Sequence, residues 1–104
     1  MKKLVRRALA DADILAALEC YIANAPEYAL AFIDAVEQAF QHIPQFSASG
    51  SLRYAYELSL PDIRVWGCSK YPYLVFYVEY PNQIEVWRVL HGSRDIPASL
   101  YFET

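Results

Sequence analysis

Cysteine, glycine and methionine are scarce in this chain, at two, three and one in 104 residues. Cys20 and Cys68 stand far apart without the paired spacing of a zinc or redox site, so both read as reduced, half-buried thiols. Three glycines with no GxGxxG or P-loop leave no Gly-rich turn to cradle a phosphate. His42 and His91 with scattered carboxylates are too few for a metal site, and no nucleophile elbow is visible; no metal and no cofactor are expected. No window reaches the roughly 18 uncharged apolar residues that a membrane span needs. The basic start resembles a secretory n-region, but Asp11, Asp13 and Glu19 interrupt the apolar stretch that would have to follow it. A cytoplasmic protein with no membrane partner is expected.

Lys and Arg are also missing from one long stretch. Residues 1–7 hold Lys2, Lys3, Arg6 and Arg7, and residues 8–50 hold no base at all beside six acids: Asp11, Asp13, Glu19, Glu27, Asp34 and Glu37. From Ser51 onward Arg53, Arg64, Lys70, Arg88 and Arg94 meet six more acids. The formal net charge of -3 argues against general coating of nucleic acid, whose affinity comes largely from Lys and Arg displacing counterions. What is plentiful is apolar surface, 56% of residues, with nine tyrosines. That composition excludes disorder, and the length suits one domain over residues 1–104, burying roughly 60–70% of the surface of the unfolded chain.

The hydrophobic period divides the chain in two. Residues 2–9 alternate roughly, as a short strand does. Asp11 or Asp13 then offers an N-cap for a helix with Ile14, Leu15, Leu18 and Ile22 at helical spacing, closed by Asn24. Pro26 suits the first turn of a second helix, whose stripe of Ala29, Phe32, Ile33, Val36, Phe40 and Ile43 runs unbroken until Pro44 ends it. The short connection makes these helices an antiparallel hairpin with all six acids facing outward. Beyond the linker-like residues 45–51 the period becomes two. Strands are expected over residues 52–58, 63–67, 73–80 and 84–90, and an edge segment or helical turn over 98–102. The fold class is therefore α+β: an N-terminal strand and an antiparallel helical hairpin packed on one face of a three- to four-stranded antiparallel sheet.

One string carries possible chemistry: Arg88-Val89-Leu90-His91-Gly92-Ser93-Arg94-Asp95. Strict alternation puts Arg88 and Leu90 on one face and Trp87, Val89 and His91 on the other, with Gly92 turning the chain out of the sheet. A guanidinium there can bind a phosphate or carboxylate bidentately, and His91 can exchange a proton near neutral pH. On spacing alone, structural pairing of Asp95 with Arg94 or Arg88 accounts for the string better than a binding site does.

Together with Tyr73-Leu74-Val75-Phe76-Tyr77 and residues 84–90, the His91-Gly92-Ser93-Arg94-Asp95 ending resembles the ParE/RelE superfamily of toxins from type II toxin–antitoxin modules, closest to the ParE branch. The resemblance implies a toxin of a plasmid-stabilisation type module, neutralised in a hetero-oligomer with a ParD-like antitoxin and inhibiting DNA gyrase or a related topoisomerase by protein binding. Arg64, Arg88, His91, Arg94 and Asp95 would then be target-binding. Relatives of the RelE kind instead cut mRNA on the ribosome. That chemistry needs a base, cations for the phosphate and an acid for the leaving oxygen. Here Trp66 and Tyr73 stand where two of those cations would be. A metal-independent nuclease would have to draw on Glu57, Arg64, Arg88, His91, Arg94 and Tyr101, and the chain reads more readily as a non-enzyme. A degenerate toxin fold acting only as a binding partner is the third reading.

Nine tyrosines exceed what one small core can hide with every hydroxyl satisfied. Several of Tyr54, Tyr56, Tyr71, Tyr73, Tyr77 and Tyr80 are thus expected to be partly exposed, as an antitoxin-binding surface.

Overall fold

The computed structural model describes residues 2–93 and Ile96. Strand β1 (Lys3–Arg6) leads into helix α1 (Ala8–Asn24), a 3-10 turn (Pro26–Tyr28) and helix α2 (Ala29–Gln45). A second 3-10 turn (Ser47–Ser49) and the short helix α3 (Ala55–Leu58) precede strands β2 (Ile63–Gly67), β3 (Tyr73–Glu79) and β4 (Gln83–His91). The four strands form one sheet in the order β1-β4-β3-β2. The α+β expectation holds, with one correction: β1 runs parallel to β4, pairing Lys3 with Gln83 and Arg6 with Val86, so the sheet is mixed. Alternation in a four-residue strand fixes which side chains share a face and carries no signal for strand direction.

Helix α2 follows its sequence stripe. Ala29, Phe32, Val36 and Ile43 are buried, joined by Ala35 and Ala39, with Ile33 and Phe40 packed alongside. Pro26 opens a 3-10 turn ahead of α2, and Pro44 sits inside its last turn instead of ending it. A proline there removes one helix hydrogen bond, and the Gln45 side-chain amide donates to the Gln41 carbonyl (3.2 Å) beside it. Helix α1 departs further. It begins at Ala8 behind Arg7, whose side chain does not cap the helix, so neither Asp11 nor Asp13 is its N-cap. Its buried residues are Ala10 and Ala17, flanked by Ile14, Leu18 and Tyr21, whereas Leu15 and Ile22 face solvent. Small residues on the inner side let α1 lie close to the sheet. Asn24 does close it, its amide donating to the Cys20 carbonyl at 3.0 Å.

Two hydrophobic clusters sandwich the sheet. Val75, Tyr77, Ile84, Val86 and Val89 meet α1 and α2 on one face; Ile63, Val65, Phe76, Val78 and Leu90 meet Ala55 of α3 and Ile96 on the other. Fully burying a side chain the size of Phe32, Phe76 or Ile63 contributes roughly 1.5–3 kcal/mol. The second cluster explains why residues 52–58 are not a strand. Tyr54, Ala55 and Leu58 converge on it at helical spacing, and Ser59, at φ 55, closes the turn by donating to the Tyr56 carbonyl. Tyr56 is left 96% exposed.

Tyr77 is wholly buried, which corrects its assignment to an exposed surface. Its hydroxyl donates to the Ser47 carbonyl (2.6 Å) beneath Gly50, where a Cβ would fall within the phenol oxygen. Desolvation, outweighing the Arg64 charge and a hydrogen bond with the Gly50 backbone, pushes this phenol above its ordinary value. The residue 47–50 linker is thereby fastened to the middle of the sheet.

Both cysteines are free; Cys20 is exposed and Cys68 buried. Burial pushes the Cys68 thiol from 9.0 up to about 11. A raised thiol favours the native state below the unfolded value, so this contribution is lost as pH climbs from 9 toward 11. A thiol reagent at pH 8 is expected to label one cysteine in native protein and both after unfolding; equal labelling rates would refute the buried placement. Gly50→Ala is expected to cost about 1–3 kcal/mol in urea unfolding, with a smaller cost in a Tyr77→Phe background, where the colliding oxygen is gone.

Candidate functional site

The strand-end string is reorganised by a β-bulge. Phe76 pairs with Arg88 and Tyr77 with Val86, so Trp87 has no opposite residue on β3. One extra residue changes the phase of the strand. Ile84, Val86 and Val89 all face the helices, while Trp87 and Leu90 join the cluster on the opposite face. The strict-alternation expectation is therefore overturned for Trp87 and Arg88, while Val89 and His91 share one face and Leu90 lies on the other.

Arg88 reaches α1. Its Nε and Nη2 each donate to an Asp13 carboxylate oxygen at 2.7 Å, and the Val89 backbone N–H donates to the same carboxylate at 3.0 Å. The two side chains are only 12% and 11% exposed. Asp13, read from sequence as a cap or an outward acid, thus accepts three hydrogen bonds in a partly desolvated pair. Nothing in a linear pattern separates it from Asp11, which pairs with Arg6 at 3.0 Å on the surface.

A cavity of about 220 Å³ lies beside this pair, lined by Asp13, Ala16, Ala17, Cys20, Tyr73, Val89 and His91. The His91 ring meets Tyr73 edge-on at 5.2 Å. Its Nδ1 accepts from the Ser93 N–H at 3.1 Å and sits 2.7 Å from the Ser93 hydroxyl. An Nδ1 that accepts from a backbone N–H holds no proton, so the ring presents its N–H at Nε2. Gly92 does not adopt a left-handed conformation; its N–H donates to the Pro72 carbonyl (2.7 Å), prolonging the β3–β4 ladder. Arg94, Asp95 and Tyr101 lie outside the described residues.

The remaining sequence candidates are dispersed. Arg64 lies on the helix-covered face and donates to the Gly50 (2.8 Å) and Ala48 (3.2 Å) carbonyls. Glu57 is exposed on α3, the element that packs on the other face. Tyr54 and Tyr80 border the second cluster; Tyr71 and Tyr73 border the first, beside Tyr21 and Phe32. Five of the six tyrosines are at least partly exposed, though they do not share one surface. Tyr21 and Tyr28, absent from the sequence-based set, extend the Tyr71 patch; their signal was proximity to the helix-hairpin turn. Among the described residues no group of three or more His, Cys, Asp or Glu is placed to hold a metal, and no helix is long and apolar enough to cross a membrane.

A helical hairpin and a terminal strand on a small mixed sheet, with Arg64 and Arg88 anchored into the fold, define a small α+β domain. The same fold occurs in a solved structure of the chromosomal ParDE TA system from P. aeruginosa, at TM-score 0.73 and 21% identity, covering 88% of this chain and 96% of that chain. Residues 4–96 match the family model of the ParE toxin of type II toxin-antitoxin system, parDE. The chain belongs to that family. No curated protein matches the sequence.

Asp13→Ala removes the carboxylate that engages the partly buried Arg88 guanidinium and is expected to cost up to about 3–5 kcal/mol in chemical denaturation. The double change Asp13→Leu with Arg88→Met is expected to recover most of that loss. A single variant no less stable than the double one would show that the pair is not desolvated.

Proposed function

We propose that this chain is a toxin that acts by binding a protein, inhibiting DNA gyrase or a related topoisomerase, and that a ParD-like antitoxin holds it inactive. Membership of the ParE family supports the class. The observation that favours protein binding over RNA cleavage is the commitment of two strand arginines, Arg64 on β2 and Arg88 on β4, to the fold. Arg88 is engaged by Asp13, and Arg64 by two backbone carbonyls. Cations so engaged must break those bonds before stabilising charge on a phosphate, whereas efficient electrostatic catalysis uses donors already aimed at the reacting group. Glu57, the base a nuclease would need, lies on the element covering the other face.

Purified chain added to gyrase and relaxed plasmid is expected to block supercoiling, and a ParD-like antitoxin to restore it, with mRNA left intact in a ribosome assay. Arg94→Ala is expected to weaken inhibition about tenfold or more if that guanidinium is a target hot spot. Cleaved mRNA with unaffected gyrase would replace this reading with the nuclease. Neither effect, with antitoxin still bound, would leave a binding fold without a target.

A further inference from the structure

A second cavity is larger than the one beside Asp13. A groove of about 580 Å³ opens where the end of α1, the Pro26–Tyr28 turn, the first half of α2 and the β2–β3 turn meet. Tyr21, Tyr28 and Tyr71 line it, with Asp34 and Gln38 from α2 and Lys70 from the β2–β3 turn.

The aromatic wall is braced from behind. Tyr71 stands edge-on to Tyr21 (5.7 Å, 88°) and to Phe32 (5.8 Å, 69°), and its hydroxyl donates to the Tyr28 carbonyl at 3.3 Å. Burial, then the neighbouring phenols of Tyr73 and Tyr71, push the Tyr21 hydroxyl above its ordinary value and keep the ring neutral. Neutral tyrosine rings present electron-rich faces that attract cations. Asp34 is exposed and makes no ion pair among the described residues, so its carboxylate is available to a ligand. The surrounding hairpin adds a negative field, since Glu19, Glu27, Asp34 and Glu37 make no ion pair among the described residues and residues 8–50 hold no Lys or Arg. Lys70 is the single opposing charge at the rim.

We propose that this groove receives the guanidinium or ammonium head of an arginine or lysine side chain of the antitoxin, held against Tyr21, Tyr28 and Tyr71 with Asp34 as counter-charge. The identity of that partner rests on the proposed function; the cation preference rests on the groove itself. An anionic ligand would find one lysine, with the Tyr71 hydroxyl already donated and a carboxylate beside it. A cation meets three tyrosine rings and that carboxylate. Lys70 is then an element of repulsion, which makes its removal diagnostic.

The first test titrates N-acetyl-arginine amide, N-acetyl-lysine amide and N-acetyl-glutamate amide into the full chain carrying carbon-13 tyrosine rings. The two cations are expected to shift the Tyr21, Tyr28 and Tyr71 resonances, and the glutamate amide to leave them in place. Tyr28→Phe is expected to retain binding and Tyr28→Ala to weaken it about 3- to 30-fold, since the ring face and not the hydroxyl carries the interaction. Asp34→Asn is expected to weaken it about two- to fivefold, and Lys70→Ala to strengthen it. Shifts with glutamate amide, no shifts with either cation, or loss of binding in Lys70→Ala would overturn the assignment.

The second test measures ParD-like antitoxin binding. Tyr28→Ala and Asp34→Asn, both at exposed positions, are expected to lower affinity without altering thermal unfolding. Equal affinity for wild type and variants would overturn the inference and leave the proposed function standing. Failure of the wild-type chain to bind any ParD-like antitoxin would overturn that function and the partner named here, while the titration still decides the chemistry of the groove.

Discussion

The pair between Arg88 and Asp13 organises the rest of the molecule. It joins the first helix to the last strand, 75 residues further along, and it is nearly shut off from water. A desolvated ion pair adds little net stability over apolar packing of the same volume, because removing two charges from water costs about what their attraction returns. Its effect is on the alternatives. Any register of β4 that fails to bring Arg88 to Asp13 forfeits the hydrogen bonds of this partly desolvated pair. The bulge at Trp87 is the backbone counterpart of this constraint, since it lets Arg88 and then Val89 both meet α1, where a regular strand would send Val89 to the opposite face. With α1 fixed this way, β1 is delivered alongside β4 in parallel register, and Arg7 can pair with Glu85 at 2.9 Å while stacking on Trp87 at 4.1 Å.

Much of the architecture was legible because hydrophobic period reports burial directly. The α2 stripe, strands β2 and β3 and the span of β4 follow from residues that must avoid water. What was not legible depended on contacts between distant segments. The residue 52–58 alternation is compatible with a strand, and only the second cluster beneath it, closed by Tyr54, Ala55 and Leu58, selects a helix. A single-residue bulge leaves no mark in composition or period. Asp13 and Asp11 look alike until Arg88 is brought to one of them. Tyr77 looks like its neighbouring tyrosines until Gly50, the one residue small enough, lets the Ser47 carbonyl reach its hydroxyl.

The same distinction governs the candidate site. Arginines on a strand suggest charge available to a ligand, and position alone cannot say whether the fold has already engaged them. Lys2 pairs with Glu79 at 2.8 Å, Arg6 with Asp11, Arg7 with Glu85 and Arg88 with Asp13. Arg64 is held by carbonyls, and Arg53 lies over the Tyr54 ring at 5.1 Å. Hydrogen bonds from Lys2 and Ser47 hold the Glu79 carboxyl below its ordinary value, so the link's contribution is complete above the usual carboxylate range and is lost as pH falls below that range through the lowered value. The cations are thus spent largely on acids from other elements.

That pattern changes the meaning of a modest net charge. When bases are consumed by cross-strand and strand-to-helix pairs, the acids left over determine what the surface presents. Glu19, Glu27, Asp34 and Glu37 are exposed on the hairpin, interspersed with the exposed apolar residues Leu15, Ile22, Tyr28 and Leu30. Exposed charge paired with exposed apolar area is poorly suited to a phosphate backbone and well suited to a protein segment bearing basic and apolar side chains together. Such a segment would gain apolar burial and charge complementarity together, and the same acids would disfavour acidic partners. The absence of Lys and Arg from residues 8–50 thus leaves Glu19, Glu27, Asp34 and Glu37 without an ion pair among the described residues, while Arg6 and Arg88 from the strands are engaged by Asp11 and Asp13.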